Sequence, residues 1–568
     1  MALLPLLSLL AISFTIYTLC NLLRNYNSAR SSGLRIVVSP LAPFSLQWQL
    51  ATYCFRPLLQ RWRWFRAIDW TCCWHDNDNL HRELGLCFIV VSPGHNVLCT
   101  SDSQAIDHVL KKWRDFVKPD NVNEILGTFG QNVDTSNGDD WVRHRKLTAP
   151  CFNERASAKV WSEALRQSDT MLEKWKLSQD KDTNSMIQDT STLALNVISS
   201  VAFENNDVNK ATSGHTLSLR EALVTVMSTS ISPAMEGIMP LLRLPTLKPF
   251  LPRSVQQLLV AMSEFRQYMD EIVAKERTKP RTEVTNTPNL ISSLISANDG
   301  AKAEAGKPKS RLSDVELRGN IFIFTVGGLE STSITLSYTL ALLAVYPQVQ
   351  DWLMEELNEV IQSRLSGFMD YATVFPRLKR TMAVMYETLR LYGPSPPLPR
   401  SPFPANTNPD IPISDPKAKG STSYIKLPPN TQLMLNSWAS HTSAEHFHNP
   451  LIWDPKRWVQ AHDVSPNEPV SVKNLAAEEL KHPGSGSGFF AWGTGPRICP
   501  GMKFSQVEYC GVLSSVLQRV RVEVVGDSEE DKDKARERVM SVLRDSCADP
   551  LLLHIRRPEK LKLRILQR

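Results

Sequence analysis

The chain opens on an apolar run, Ala2 to Leu23, broken only by small polar residues and Pro5; its first charged side chain is Arg24, followed by Arg30 and Arg35. A run of that length can cross a hydrocarbon core of ~30 Å as a helix. It lacks the basic start, short apolar stretch and small-residue cleavage site of a removable signal peptide. The pattern predicts a signal anchor over residues 1–23, with the positive flank and the body on the cytosolic side. No comparable run is read further on, so a single-pass anchor is expected. Residues 24–60, rich in proline and aromatics from 36 onward, read as a linker, and 61–568 as one catalytic body.

Within that body, Cys87–Ser92 and His95–Thr100 are β-prone runs around Pro93-Gly94, the pattern of two strands joined by a turn. Ser103–Lys112 changes to helical spacing, and most of the chain from 154 onward keeps it. One helix stands out. Ser313 and Glu316 make the S-x-x-E of a capping box, and no proline intervenes before Pro347. A helix reaching Tyr346 would be ~50 Å long, enough to span a domain and be buried through its middle. The small, polar, lysine-rich stretch 299–311 and the charged stretch Gly526–Arg538 read as surface segments.

Composition narrows the function classes. The 568 residues are 42% hydrophobic and 21% charged, ordinary for a folded globular protein. A net charge of +6 is too mild to indicate nucleic acid as a partner. Ten cysteines without regular spacing do not form a secreted disulfide framework, and reduced thiols facing the cytosol are expected. Cys72, Cys73, His75 and His81 have no second CxxC or HxxxH at zinc spacing, so they read as core packing.

The candidate chemistry lies near the C-terminus, in Phe490-Ala491-Trp492-Gly493-Thr494-Gly495-Pro496-Arg497-Ile498-Cys499-Pro500-Gly501. Gly493 and Gly495 permit a tight, positive-φ backbone against a flat ligand. Pro500 suits the first turn of a helix, and Met502, Phe504, Val507, Val512, Leu513, Val516 and Leu517 continue at helical spacing. Cys499 therefore sits at a helix N-terminus, where the dipole favours a thiolate, and Arg497 supplies a cation suited to a carboxylate.

Here the chain resembles the cytochrome P450 superfamily. The family's signature is an aromatic followed by Gly-x-Gly-x-Arg-x-Cys-x-Gly, matched by Trp492, Gly493, Gly495, Arg497, Cys499 and Gly501. Further matches come in the family's order. Trp141 and Arg145 form a W-x-x-x-R, one helical turn apart, whose donors the resemblance directs to a haem propionate. Gly327-Gly328-Leu329-Glu330-Ser331-Thr332 resembles the oxygen-binding turn, with Ser331 where the family usually carries threonine. Its glycines allow a local widening of the helix, and its acid and hydroxyl are candidate proton donors. Glu387 and Arg390 form an E-x-x-R, and Arg457 lies in Pro455-Lys456-Arg457-Trp458; the three are expected to brace the core. Arg400 closes a proline-rich stretch, 394–400, that passes over the haem in the family.

The resemblance implies a mainly α fold with small β-sheets (α+β), the cytochrome P450 fold, carrying an N-terminal transmembrane helix in the endoplasmic reticulum membrane. It implies haem (heme, iron protoporphyrin) with Cys499 as axial ligand, Trp141, Arg145, Arg400, Trp492, Gly495, Arg497 and Gly501 around it, and Glu330 and Ser331 as catalytic residues. It implies a lipophilic small-molecule substrate and electrons from NADPH-cytochrome P450 reductase, with cytochrome b5 a second candidate donor. Arg143, Lys146 and Lys503 are candidates for the basic face that meets the reductase. Substrate contacts are expected from Asn121–Asp140, 205–250, the long helix near Phe324, 394–399 and 543–552, and Pro240–Pro252 is a candidate for dipping into the bilayer. The texture is closest to filamentous-fungal members, which often decorate secondary metabolites. Two other readings are an O2-independent haem-thiolate isomerase or dehydratase, and a haem-based sensor or electron-transfer protein.

Overall fold

The long helix forms where its cap predicts. Ser313 Oγ accepts from the Glu316 amide at 3.2 Å and Glu316 reaches back to the Ser313 amide at 2.8 Å. The helix runs Asp314–Val345 and stops at Tyr346, ahead of Pro347. Almost every side chain in its second half is buried. It threads the middle of a helix-rich body, seen here in a computed structural model that describes residues 3–120, 126–177, 182–203, 210–230, 251–279, 289–305, 311–362, 369–405, 407–414, 421–461, 475–484, 486–526, 528–548 and 552–568. Against it pack the helices Met186–Phe203, Lys379–Tyr392 and Met502–Arg519.

A sheet of six strands flanks the helices on one side. Cys87–Val91 and Asn96–Thr100 pair antiparallel, as their sequence pattern predicts, and all their side chains are buried. Thr431–Leu435 joins Asn96–Thr100 in parallel, and Leu398–Pro402 and Phe116–Val117 extend the sheet beyond it. The remaining strands form small sheets, so the body is α+β and mainly α.

Four expectations change. The segment 24–60 is no free linker. The first helix runs Leu3–Arg30, and Ile36–Val38 adds a parallel edge strand to Cys87–Val91. Asn25 Nδ2 donates to Ser92 O at 2.8 Å, Asn96 Nδ2 donates to Asn25 O at 3.2 Å, and Ala29 is fully buried. Leu46–Leu59 is a second helix, capped by Ser45 and held by Trp48, whose ring stacks on Phe65 at 5.1 Å. Residues 299–305 continue the helix Leu290–Ala305, and Gly526–Arg538 leads into a helix, Glu529–Arg544, that buries Ala535, Val539 and Leu543. Finally, residues 331–350 carry no charge. Among the described residues the one helix long and apolar enough to cross a membrane is Asp314–Val345, but 78% of its apolar window is buried in the core.

The core also holds a conflict. Glu508, on the helix Met502–Arg519, is fully buried, and neither carboxyl oxygen has a hydrogen-bond partner among the described residues. Burial pushes its pKa far above the usual carboxylate range, so the native state keeps the acid protonated at neutral pH. The unfolded chain loses that proton near pH ~4.3, so this residue's contribution to stability falls as pH rises above that value. Glu508→Met is expected to raise stability by about 1–3 kcal/mol, with a larger gain at alkaline than at acid pH. Thermal melts of both proteins across pH check this; a lower melting temperature for the variant at every pH would show that the acid has a partner.

Candidate active site

The cysteine loop is built from the backbone outward. The Gly493 amide donates to Phe490 O at 2.9 Å, and the Cys499 amide donates to Trp492 O at 3.0 Å. Both turns need positive φ, +71° at Gly493 and +70° at Gly495. At Gly495 the approach is also close: a Cβ there would lie 2.9 Å from Leu110 O and 3.0 Å from Lys111 Cα. The helix after the loop begins at Met502 with Gly501 as N-cap, so Pro500 stands before the helix and not in its first turn. Cys499 keeps accessible surface although it is surrounded by protein atoms. Burial raises the thiol pKa; the Gly501 N–H, Arg145 and Lys118 pull it down, and Asp134 pushes it up. The helix end alone does not make it a thiolate.

Around this sulfur the structure gathers cations. Arg497 donates to Asn137 Oδ1 at 2.9 Å, to Ser136 O at 2.7 Å and to Asp134 O at 3.0 Å, and its guanidinium lies 5.3 Å from the centre of the Trp141 ring. Arg400, on the strand Leu398–Pro402, is 5% exposed and is held by its own chain at Pro399 O, 2.7 Å away. Burial lowers both guanidinium pKa values to about 10, which leaves them charged at neutral pH. Arg145 also loses water to burial, and among the described residues it has no hydrogen-bond or ion-pair partner beyond the field of Cys499. Lys118, which the sequence reading missed, joins them. It pairs with Asp134, and burial lowers its pKa to about 8. Burial would raise Asp134, but Lys118, Arg497 and Arg400 hold it below the usual carboxylate range. Four cations thus face a single carboxylate.

Across from the loop, the long helix opens at its glycines. Gly327 is exposed in the middle of an otherwise buried segment, and a Cβ built on it meets nothing within 4 Å. The expected local widening is not present: the helix stays α throughout. The open face comes from the missing side chain and includes Ile323, Gly328, Glu330 and Ser331, all partly exposed. Phe324 lies off this face, packing edge-on against Phe152 at 5.2 Å, and Phe152 in turn reaches Phe504 beside the cysteine loop. Ser331 Oγ donates to Gly327 O at 2.6 Å and keeps its lone pairs free to accept. Burial raises the Glu330 pKa, against the opposing charge of His554. His554 was not anticipated. It sits on the hairpin Ser546–Cys547/His554–Ile555, its Nε2 3.3 Å from Cys547 Sγ, and Tyr338 ties that hairpin to the long helix through Ser546 at 2.6 Å. Just past the stretch 543–552, the Leu553 amide donates to Pro394 O at 2.9 Å, at the start of 394–399.

Glu387, Arg390 and Arg457 come together beneath the cysteine loop. Arg390, fully buried, forks onto Glu387 at 2.9 and 2.8 Å and spends its remaining donors on His441 O, Pro450 O and Ile452 O. Glu387 also accepts from Arg457 Nε at 3.0 Å, Trp458 Nε1 at 2.9 Å and the Asp454 amide at 2.9 Å. His441, also missed, links this network to the loop. Its Nδ1 faces Arg390 O at 3.2 Å and its Nε2 accepts from the Phe490 amide at 2.7 Å. A carbonyl can only accept, so the proton sits on Nδ1; burial, and after it Arg390, holds the pKa down at about 3 and the ring neutral. Trp492 belongs to an aromatic wall with Phe489 and Tyr386, and its Nε1 donates to Ser505 Oγ at 3.2 Å.

The proposed basic face needs correction. Arg143 is turned inward, donating to Glu316 at 2.6 and 3.0 Å and to Asp140 at 3.0 Å, and Lys503 pairs with Glu154. Of the three, only Lys146 stays exposed and without a partner among the described residues. The candidate stretches 205–250, Pro240–Pro252 and Asn121–Asp140 lie wholly or partly outside the described residues, as does the end of 543–552.

Comparison with known proteins agrees with this arrangement. The family profile described as Cytochrome P450 matches residues 55–546. The chain is 28% identical over 552 residues to cytochrome P450 monooxygenase ORF6 of Penicillium roqueforti, covering 91% of each chain. It is likewise 28% identical over 559 residues to cytochrome P450 monooxygenase prx9 of Penicillium rubens, again covering 91% of each. The phomenoic acid biosynthesis cluster cytochrome P450 monooxygenase of Leptosphaeria maculans is 26% identical over 548 residues, 89% of this chain and 90% of that one. The chain belongs to the cytochrome P450 family of monooxygenases.

Proposed function

We propose that this protein binds haem on Cys499 and uses dioxygen, with electrons from NADPH-cytochrome P450 reductase, to hydroxylate or epoxidise a lipophilic small molecule. One observation carries the reading: an accessible cysteine stands beside four cations with a single carboxylate among them. Buried cations of that number are costly unless an anion joins them, and the two propionates of a haem fit the excess of Lys118, Arg145, Arg400 and Arg497. In the haem-bound protein the iron's charge would favour the thiolate form of Cys499, which burial alone disfavours.

Haem on a thiolate supplies dioxygen activation and oxygen insertion. The chain's own residues do the rest. Lys118, Arg145, Arg400 and Arg497 orient the ring, and the glycine at 327 leaves room above it. Ser331 accepts and passes a proton at Oγ, and Glu330, whose pKa burial raises, is its source. Retention of that acid and hydroxyl favours oxygenase chemistry over an O2-independent isomerase. The relatives' names and fungal sources support a secondary metabolite as substrate. The exposed apolar side chains Leu9, Leu10, Ile12, Phe14, Ile16 and Leu19 of the first helix support an anchor in the endoplasmic reticulum membrane, and Leu46, Leu50, Tyr53, Leu58 and Trp62 add further exposed apolar side chains after it. Cytochrome b5 fits the same scheme as an optional second donor.

Co-expression with a reductase, followed by comparison of metabolites against the Cys499→Ser chain, tests the proposal. A product that forms only with reductase and air supports it; full conversion without reductase would sink it. Ser331→Ala is expected to divert about ten-fold more reducing equivalents to peroxide, while Ser331→Thr keeps coupling near the parent's. Peroxide per NADPH consumed is the measurement, and unchanged coupling in Ser331→Ala removes the hydroxyl from the proton path.

A further inference from the structure

Away from the cysteine, one histidine sews two helices together. His215 lies just before the helix Leu219–Ser230, which packs along Arg253–Thr278. Its Nδ1 is 2.7 Å from Glu264 Oε2 and its Nε2 is 3.1 Å from Glu271 Oε2. Those glutamates are one heptad apart on Arg253–Thr278, and Tyr268 between them stacks on the imidazole at 3.6 Å and 10°. The neighbouring backbone is tied to the same groups. Thr216 donates to Glu264 Oε1 through its amide at 3.1 Å and its hydroxyl at 2.6 Å, and Tyr268 Oη donates to Leu217 O at 2.9 Å. Ser218 and Glu221 then cap the following helix.

The chemistry of this clamp is one-sided. A carboxylate oxygen only accepts, so satisfying both contacts requires an N–H on each ring nitrogen, which is the imidazolium. Neutral imidazole leaves one lone pair facing a carboxylate. The imidazole has no exposed surface, and the titratable groups facing it are Glu264, Glu271 and Tyr268. We propose that His215 is a pH-sensitive pin, locking the start of Leu219–Ser230 onto Arg253–Thr278 when protonated and releasing it when neutral. The helix it is pinned to, Arg253–Thr278, covers the long helix, because its Phe265 meets Phe322 at 5.9 Å and Phe129 at 5.1 Å. Release therefore frees Leu219–Ser230 from that cover; any bearing on substrate entry rests on the monooxygenase reading, whereas the pin does not.

Burial pulls the imidazole pKa down, but the hydrogen bonds and charges of Glu271 and Glu264 outweigh it, leaving the folded value above the ordinary one. The clamp's stabilisation is thus fully present below pH ~6.5 and is lost as pH rises through the raised folded value. Hydrogen exchange of the full-length haem protein, followed by mass spectrometry over 210–230 at about pH 6 and about pH 8.5 and corrected for the intrinsic rate, reads the pin directly. Protection in the parent is expected to fall about five-fold between the two. In His215→Gln it is expected to be low at both, and in Glu271→Gln the fall should come at lower pH. Protection that ignores pH in the parent, or a midpoint unmoved in Glu271→Gln, would overturn the proposal. None of these measurements needs substrate or turnover, so they fail independently of the proposed reaction.

Discussion

Cys499→Ser is expected to bring turnover down to the level of reductase alone while leaving the apoprotein's stability within about 0.5 kcal/mol of the parent's. The two halves of this expectation come from different atoms. The backbone of Cys499 holds the loop through its amide bond to Trp492 O, and serine keeps that bond. Cys499 is exposed, and serine keeps its size within one atom. Under the proposed function, what serine removes is the soft anionic ligand whose electron density would favour O–O cleavage. Turnover with reductase and a carbon-monoxide difference spectrum check the first half, and thermal melts without haem check the second. A variant with normal turnover would remove Cys499 from the mechanism.

The largest loss of stability is expected from Glu387→Ala, about 3–5 kcal/mol or failure to fold. Glu387 is fully buried and receives two bonds from Arg390 and one each from Arg457, Trp458 and the Asp454 amide. Removing it leaves the Arg390 cation in the core with carbonyls as its only remaining partners. Arg390→Ala is milder, because Arg457, Trp458 and the amide still bind the carboxylate. Soluble yield and denaturation midpoints of the two variants test this order; a drop below ~1 kcal/mol for Glu387→Ala would show that the network is dispensable. His441 carries the consequence to the site, because its tautomer is fixed by Arg390 O and its other nitrogen holds the first residue of the cysteine loop.

What could be read from the sequence was local in origin. The capping box at Ser313, the strand pair around Pro93-Gly94 and the glycine turns before Cys499 each depend on residues within a few positions of one another. What could not be read depends on which distant element a side chain meets. Arg143 and Arg145 lie on one helix two residues apart, about 200° around it. One turns to Glu316 and the other toward Cys499; the W-x-x-x-R spacing named Arg145 for the site, but nothing near Arg143 names Glu316. Lys118 follows a two-residue strand and gains its place only when Asp134 closes over it. The helical pattern of 24–30 was masked by the charges at Arg24 and Arg30, which mark an end of hydrophobicity but not of the helix.

That continuity bears on how a shortened protein can be made. Cutting the chain after Leu23, where hydrophobicity ends, would retain Asn25 but deprive it of the helical turns that aim it at Ser92 O and the Asn96 side chain. Starting after Arg30 would strip Asn25 and Ala29 from the sheet and bare apolar surface around Ile89 and Val91. A soluble version should therefore keep the final two turns of the first helix and replace Leu23, the exposed leucine at their start, with a charged residue. Gly33, with a φ of +72° and open surroundings, lies beyond these contacts, so a break there would cost the body its hold on Asn25 and Ala29.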